Sequence, residues 1–153
     1  MVPIYLTTSN LSDLDGVNGL AFNGGGSGRE AGTSVSSAGD INGDGIDDLI
    51  ISDPRATTYG GYSTGASYVV LGGGITGTSG VVELSDLNGI DGFVVNGVDS
   101  FDQSASSVNL ESVSSAGDIN GDGVDDLIIG APGADPGGDS AAGESYVGSG
   151  TMT

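Results

Sequence analysis

One passage occurs twice in this chain with a single change. Ser34 to Ile51 reads SVSSAGDINGDGIDDLII, Ser112 to Ile129 reads SVSSAGDINGDGVDDLII, and only Ile46 and Val124 differ. Self-similarity of this kind marks architectures whose units bury their apolar faces against one another, so it constrains the fold before any other feature. The same spacing carries Pro54 onto Pro132 and Gly65 to Val69 onto Gly143 to Val147. Upstream, Leu11 to Leu14 matches Leu84 to Leu87 and Gly19 to Gly24 matches Gly92 to Gly97 at a slightly shorter spacing. The second copy therefore holds a short insertion between Ser100 and Glu111.

Within each unit the segments between turns are short and rich in Val, Ile, Leu and Tyr: Leu20 to Phe22, Ser34 to Ser37, Leu49 to Ser52, Ser67 to Leu71, and their copies. Such runs read as strands, and frequent Gly, Asn-Gly and Asp-Gly pairs interrupt any helical period. The expectation is an all-β chain with about four strands per unit.

Each repeated passage carries an acidic loop. Asp40, Asn42, Asp44 and Asp48 stand at positions one, three, five and nine of the first loop, and Asp118, Asn120, Asp122 and Asp126 occupy the same positions in the second. A hard cation such as Ca²⁺ takes about six to eight oxygen ligands, and a loop with oxygens at alternate positions can curl around it. The backbone carbonyls of Ile46 and Val124, at position seven, would add one ligand each. Gly45 and Gly123 stand at position six, where the turn requires a backbone angle most residues avoid. Asp47 and Asp125, at position eight, are expected to face solvent. An EF-hand would place Glu at position twelve, but Ile51 and Ile129 stand there and the chain continues as a strand. The competing reading is an Asp- and Asn-rich hairpin turn with no ion, which the near-identical recurrence of the loop disfavours.

Charge supports a cation. Among 153 residues, 21 acidic side chains face two basic ones, Arg29 and Arg55, for a formal net charge of −19. That balance disfavours nucleic acids and anionic membranes as partners, and self-repulsion of this size opposes a compact state unless cations bind. With 36% hydrophobic residues and only eight aromatic ones (Phe 3, Tyr 5), the core is lean. At about one hundred times its dissociation constant, each calcium ion would add roughly 2.7 kcal/mol. His and Cys are both absent, which removes imidazole bases, thiolate nucleophiles, disulfides and the usual zinc ligands. No run approaches the ~20 apolar residues that span a bilayer.

With AGDINGDG followed by DDLII in both copies, and Gly130-Ala131-Pro132 in the second, the units resemble the FG-GAP repeats of integrin-α-type β-propellers. The resemblance implies a four-stranded blade per repeat, one calcium ion per acidic loop, and roles that range from adhesion and ligand binding to parts of hydrolytic enzymes. In this sequence Ala31-Gly32 and Asn109-Leu110 stand where that family has Phe-Gly, and Ser52-Asp53-Pro54 replaces Gly-Ala-Pro in the first copy. The expected architecture is two four-stranded blades of an incomplete propeller, with residues 1–10 as an extra N-terminal strand, 11–79 as the first repeat and 80–153 as the second.

Propellers close with at least about four blades, so two imply a fragment of a longer repeat protein, a ring of several chains, or a fibre. Val2 to Leu6 (VPIYL) is similar to Ser67 to Leu71 (SYVVL) and is a candidate for exchange between subunits. The sequence thus points to a non-enzymatic, extracellular structural or adhesive module with two calcium ions, assembling into a homo-oligomer or filament through blade edges. The alternatives are a ligand-binding piece of a larger adhesin and a non-catalytic part of a hydrolase. Asn10-Leu11-Ser12 is a glycosylation sequon. The Gly24 to Arg29 stretch is a loop, since a phosphate cradle would end in Lys-Ser/Thr and open a helix. Asp99, Asp102 and Glu111 are read as an acidic surface loop, not as a carboxylate pair for glycoside hydrolysis.

Overall fold

The computed structural model describes residues 10–57, 64–75, 80–97, 112–139 and 142–151. Nine strands run through them: β1 (Ala21–Asn23), β2 (Val35–Gly39), β3 (Asp48–Asp53), β4 (Ala66–Val70), β5 (Val81–Glu83), β6 (Gly92–Asn96), β7 (Ser112–Gly117), β8 (Asp126–Ala131) and β9 (Glu144–Gly148). Helical structure among the described residues is limited to three single 3₁₀ turns. The chain is therefore all-β, as its short β-branched segments require.

The strands form three sheets. The first has the order β2-β3-β4-β6, antiparallel throughout, and the second has the order β7-β8-β9, also antiparallel. β1 and β5 make a short parallel pair. The two larger sheets are copies of one blade-like unit: β2-β3 and β7-β8 share one register and carry the same irregularity, between Ser37 and Gly39 in one and between Ser115 and Gly117 in the other. In each, the glycine takes a positive φ and donates its N–H to the serine hydroxyl two residues back, which tips the chain out of the strand and into the acidic loop.

The first sheet has the four strands expected of a blade, but its outer strand, β6, lies beyond residue 80. The sequence unit runs from an outer strand to the next third strand, whereas the sheet runs from a first strand to the outer strand that follows. β6 docks on β4 with Val69 opposite Phe93 and Val70 opposite Gly92. The second sheet has three described strands where the sequence suggests four. The expected strand at Val2 to Leu6 and the acidic residues Asp99, Asp102 and Glu111 lie outside the described residues.

Two apolar layers hold the unit together. Ile50, Val69 and Leu71 of the first sheet pack with Val113, Leu127 and Ile129 of the second, and Val95 of β6 closes the layer from the side. The opposite face of the first sheet presents Ile51, Tyr68 and Val70, covered by Leu84, Phe22 and Leu87. The repeat makes the value of burial visible. Ile50 is 0% exposed and its counterpart Ile128 is 38% exposed; Val69 is 0% exposed and its counterpart Val147 is 49% exposed. Ile50→Ala should accordingly cost about 2–5 kcal/mol. Ile128→Ala should cost less than about 1 kcal/mol. Urea denaturation of the two variants side by side measures the difference.

Candidate metal centre

The two acidic loops share the hydrogen bonds that shape their backbones, while their asparagine amides differ: that of Asn42 donates to Asp44 (3.1 Å) and that of Asn120 to Asp126 (3.3 Å). At position one, the Asp40 carboxylate accepts the N–H groups of Asp44 (3.0 Å) and Gly45 (2.8 Å). Asp118 accepts those of Asp122 (3.0 Å) and Gly123 (2.9 Å), and of Gly121 as well (2.7 Å). At position three, the side-chain oxygens of Asn42 and Asn120 accept from Asp44 (2.9 Å) and Asp122 (2.8 Å). At position five, Asp44 and Asp122 accept the N–H of Ile46 (2.8 Å) and Val124 (3.0 Å). Gly45 and Gly123 have φ of 86° and 92°, the left-handed conformation anticipated for position six.

Position nine closes each loop. Asp48 is completely buried; its carboxylate accepts the N–H of Ile41 (3.0 Å) and of Gly72 (2.9 Å), just past β4. Asp126 is equally buried and accepts from Ile119 (3.0 Å), Gly150 (3.1 Å) and the Asn120 amide (3.3 Å). Burial pushes the Asp48 carboxyl above the ordinary carboxylate range; the Gly72 and Ile41 amides oppose the shift, and the charges of Asp44 and Asp40 add to it. The acids of the loop thus sense one another.

Both basic side chains are engaged with other groups. Arg55 pairs with Glu30 at 2.9 Å, and Arg29 reaches the Tyr68 hydroxyl at 3.5 Å. Burial, reinforced by the charge of Asp53, raises the Tyr68 phenol, which Arg29 partly offsets.

Among the described residues no three acidic side chains converge on one point as a preassembled cage. The carboxylates are strung along the turn with loop amides on their oxygens. The donor chemistry nevertheless fits a hard cation. All side-chain ligand atoms are oxygens, and a carboxylate has about four lone-pair directions, of which the Asp44 and Gly45 amides take two on Asp40. The Asp48 carboxyl is held buried beside two like charges, which a cation would relieve.

A family model described as "FG-GAP repeat" matches residues 31–70 and 111–147, together about half of the chain. The chain belongs to the FG-GAP repeat family. Each matched segment runs from just before the first strand of a sheet, through the acidic loop, to the third strand. In this FG-GAP chain the two matches fall on the two sheets that the fold resolves independently. A phosphatidylinositol-glycan-specific phospholipase D of Dictyostelium discoideum is 34% identical over 97 residues, which is 61% of this chain and 10% of that protein. The chain spans about a tenth of the length of that relative.

Position eight departs from expectation in one repeat. Asp47 is exposed, as anticipated, but Asp125 is half-buried and its carboxylate accepts the Asp40 N–H at 3.0 Å, while its own N–H donates to the Asp40 carbonyl at 3.1 Å. Asp125 therefore joins the second loop to the first instead of facing solvent. The positive φ of Gly39 favours glycine, and a side chain there would also displace the Asp125 carboxylate. Thr151 completes the junction by donating its N–H to the Ile41 carbonyl at 3.0 Å. Identical sequence at positions 47 and 125 hides the difference, because only the neighbouring repeat creates it.

Asn10 is exposed and its amide lies 3.5 Å from Asp13. Asp125→Ala should destabilise the chain by about 1–3 kcal/mol, since it removes the acceptor of a half-buried amide. Asp47→Ala should stay within about 0.5 kcal/mol of the parent. Equilibrium denaturation of the pair tests the inter-loop role.

Proposed function

We propose that this chain is a calcium-stiffened, non-enzymatic structural or adhesive module of the cell exterior, built to associate with further copies of itself. The observation that carries the reading is the pair of acidic loops that share one backbone-amide pattern and whose buried ninth-position carboxylates are compensated by amides alone. Asp40, Asn42, Asp44, Asp48 and the Ile46 carbonyl would hold one ion; Asp118, Asn120, Asp122, Asp126 and the Val124 carbonyl would hold the second. Bound calcium supplies positive charge at the point where each loop crosses from its first to its second strand, locking that crossing.

Membership of the FG-GAP family supports a propeller-type module, and such repeats are generally non-catalytic. Dissociation constants of about 0.1 to 1 mM suit calcium outside cells, where free calcium is high. Among the described residues no helix is long and apolar enough to cross a membrane. A second reading, a non-catalytic part of a larger hydrolase, is favoured by the phospholipase D match.

Isothermal titration of the chelator-treated chain with Ca²⁺ at neutral pH should give two sites and a rise in Tm. Asp40→Ala and Asp118→Ala should each remove one site, and the double variant should show no calcium response. Absence of binding in the parent chain would overturn the reading.

The pH dependence has a definite sign. Because the folded Asp48 carboxyl lies above its ordinary value, the folded chain binds protons more tightly than the unfolded one in that window. Without calcium, stability should therefore fall as pH rises through it. Calcium needs the ionised carboxylates, so the calcium-induced rise in Tm should shrink towards zero as pH falls to about 4. Thermal melts across pH with and without calcium measure both trends.

A further inference from the structure

We propose that β9 is the acceptor of an outer strand supplied by the Gly19 to Gly24 segment of a second copy of this chain. The proposal rests on the self-assembling module described above and names its interface. β4 and β9 are equivalent strands, yet β4 lies between β3 and β6 and is buried along its length, whereas β9 pairs with β8 alone among the described strands and is largely exposed. An apolar groove of about 410 Å³ runs beside β9, lined by Phe93, Val95, Leu127, Ile129 and Val147 among others.

The chain itself shows what covers such an edge. β6 covers β4 by antiparallel pairing, and the glycines at its two ends are required: a Cβ at Gly92 would collide with the Val69 carbonyl, and one at Gly97 with the Thr64 carbonyl. The β1 segment, Gly19-Leu20-Ala21-Phe22-Asn23-Gly24, repeats the β6 segment, Gly92-Phe93-Val94-Val95-Asn96-Gly97, with glycine at both ends and Asn before the second. Phe22 already packs on the first sheet as its counterpart Val95 packs on the inter-sheet core. Among the described strands β1 pairs with β5 alone. Transferring the β4-β6 register gives Val147 opposite Leu20, Tyr146 opposite Ala21 and Ser145 opposite Phe22 of the second copy.

The same arrangement seats the second copy's first sheet on the exposed face that carries Ile128 and Val147, as the second sheet of one chain seats on Ile50 and Val69. It also brings the second copy's Asp47 to the amide of Asp118, as Asp125 reaches Asp40 within one chain. Space is open there: a side chain at Gly117 would meet nothing within 4 Å, whereas one at its counterpart Gly39 would strike Asp125. Donor and acceptor are different surfaces, so the contact is head-to-tail and propagates into a ring or filament. With −19 on each copy, association needs a screening or bound cation.

The chain has no cysteine, so register can be read by cross-linking. Leu20→Cys and Val147→Cys chains are mixed in millimolar calcium and oxidised, beside a shifted pair, Asn23→Cys with Val147→Cys. Directly opposed strand positions come within disulfide reach and positions three residues off do not, so the first mixture should give at least about ten-fold more heterodimer than the second. Asp47→Ala should weaken association measured by sedimentation while leaving the unfolding midpoint of the chain unchanged. Equal cross-linking in both mixtures overturns the register. Calcium-dependent particles without cross-linking overturn this interface and leave self-assembly standing. Calcium binding with a monodisperse monomer overturns interface and assembly together and leaves the cation sites intact.

Discussion

The buried carboxylates of Asp48 and Asp126 are the points on which the rest of each unit depends. Each begins a central strand and accepts the amide of the second loop residue and the amide that follows the third strand of its sheet. A buried ionised group costs several kcal/mol unless its lone pairs are satisfied. The fold meets that cost with backbone amides, and in doing so fixes the loop, the central strand and the third strand relative to one another. Positions one, three and five then have little freedom, and the same amide pattern arises in both loops.

A second layer of organisation lies between the repeats. Asp125 crosses from the second loop to the backbone of Asp40, Gly39 makes room for it, and the apolar face of one sheet closes on that of the other. Loop and core therefore report to each other: the acidic loops stand at the end of the same interface that buries Ile50 and Leu127. A cation held by one loop, as proposed, would also steady the platform on which the neighbouring loop rests and offset part of the chain's large negative charge.

Much of this was legible in the residues. The strands, the acidic loops and the positive φ at Gly45 and Gly123 follow from short-range patterns: β-branched runs, alternating oxygens, and a glycine where the chain must turn. The FG-GAP resemblance rested on the same residues, and the family match falls on the segments that carry them. The interactions that escaped notice were non-local. Nothing in the copied sequence separates Asp125 from Asp47, since the two share the same flanking residues.

What the sequence by itself determined is therefore the unit: its strands, its loop and its repetition, because turn geometry and strand periodicity are set by neighbours along the chain. The tertiary structure decided which unit each strand serves and which face is covered. β6 follows the first repeat's third strand and joins that sheet, Ile50 is enclosed while Ile128 stands at the surface, and β4 is flanked on both sides while β9 is flanked on one. Burial depends on what packs against a residue from elsewhere in the fold, so two identical stretches of sequence acquire different energies only when the units are set against each other.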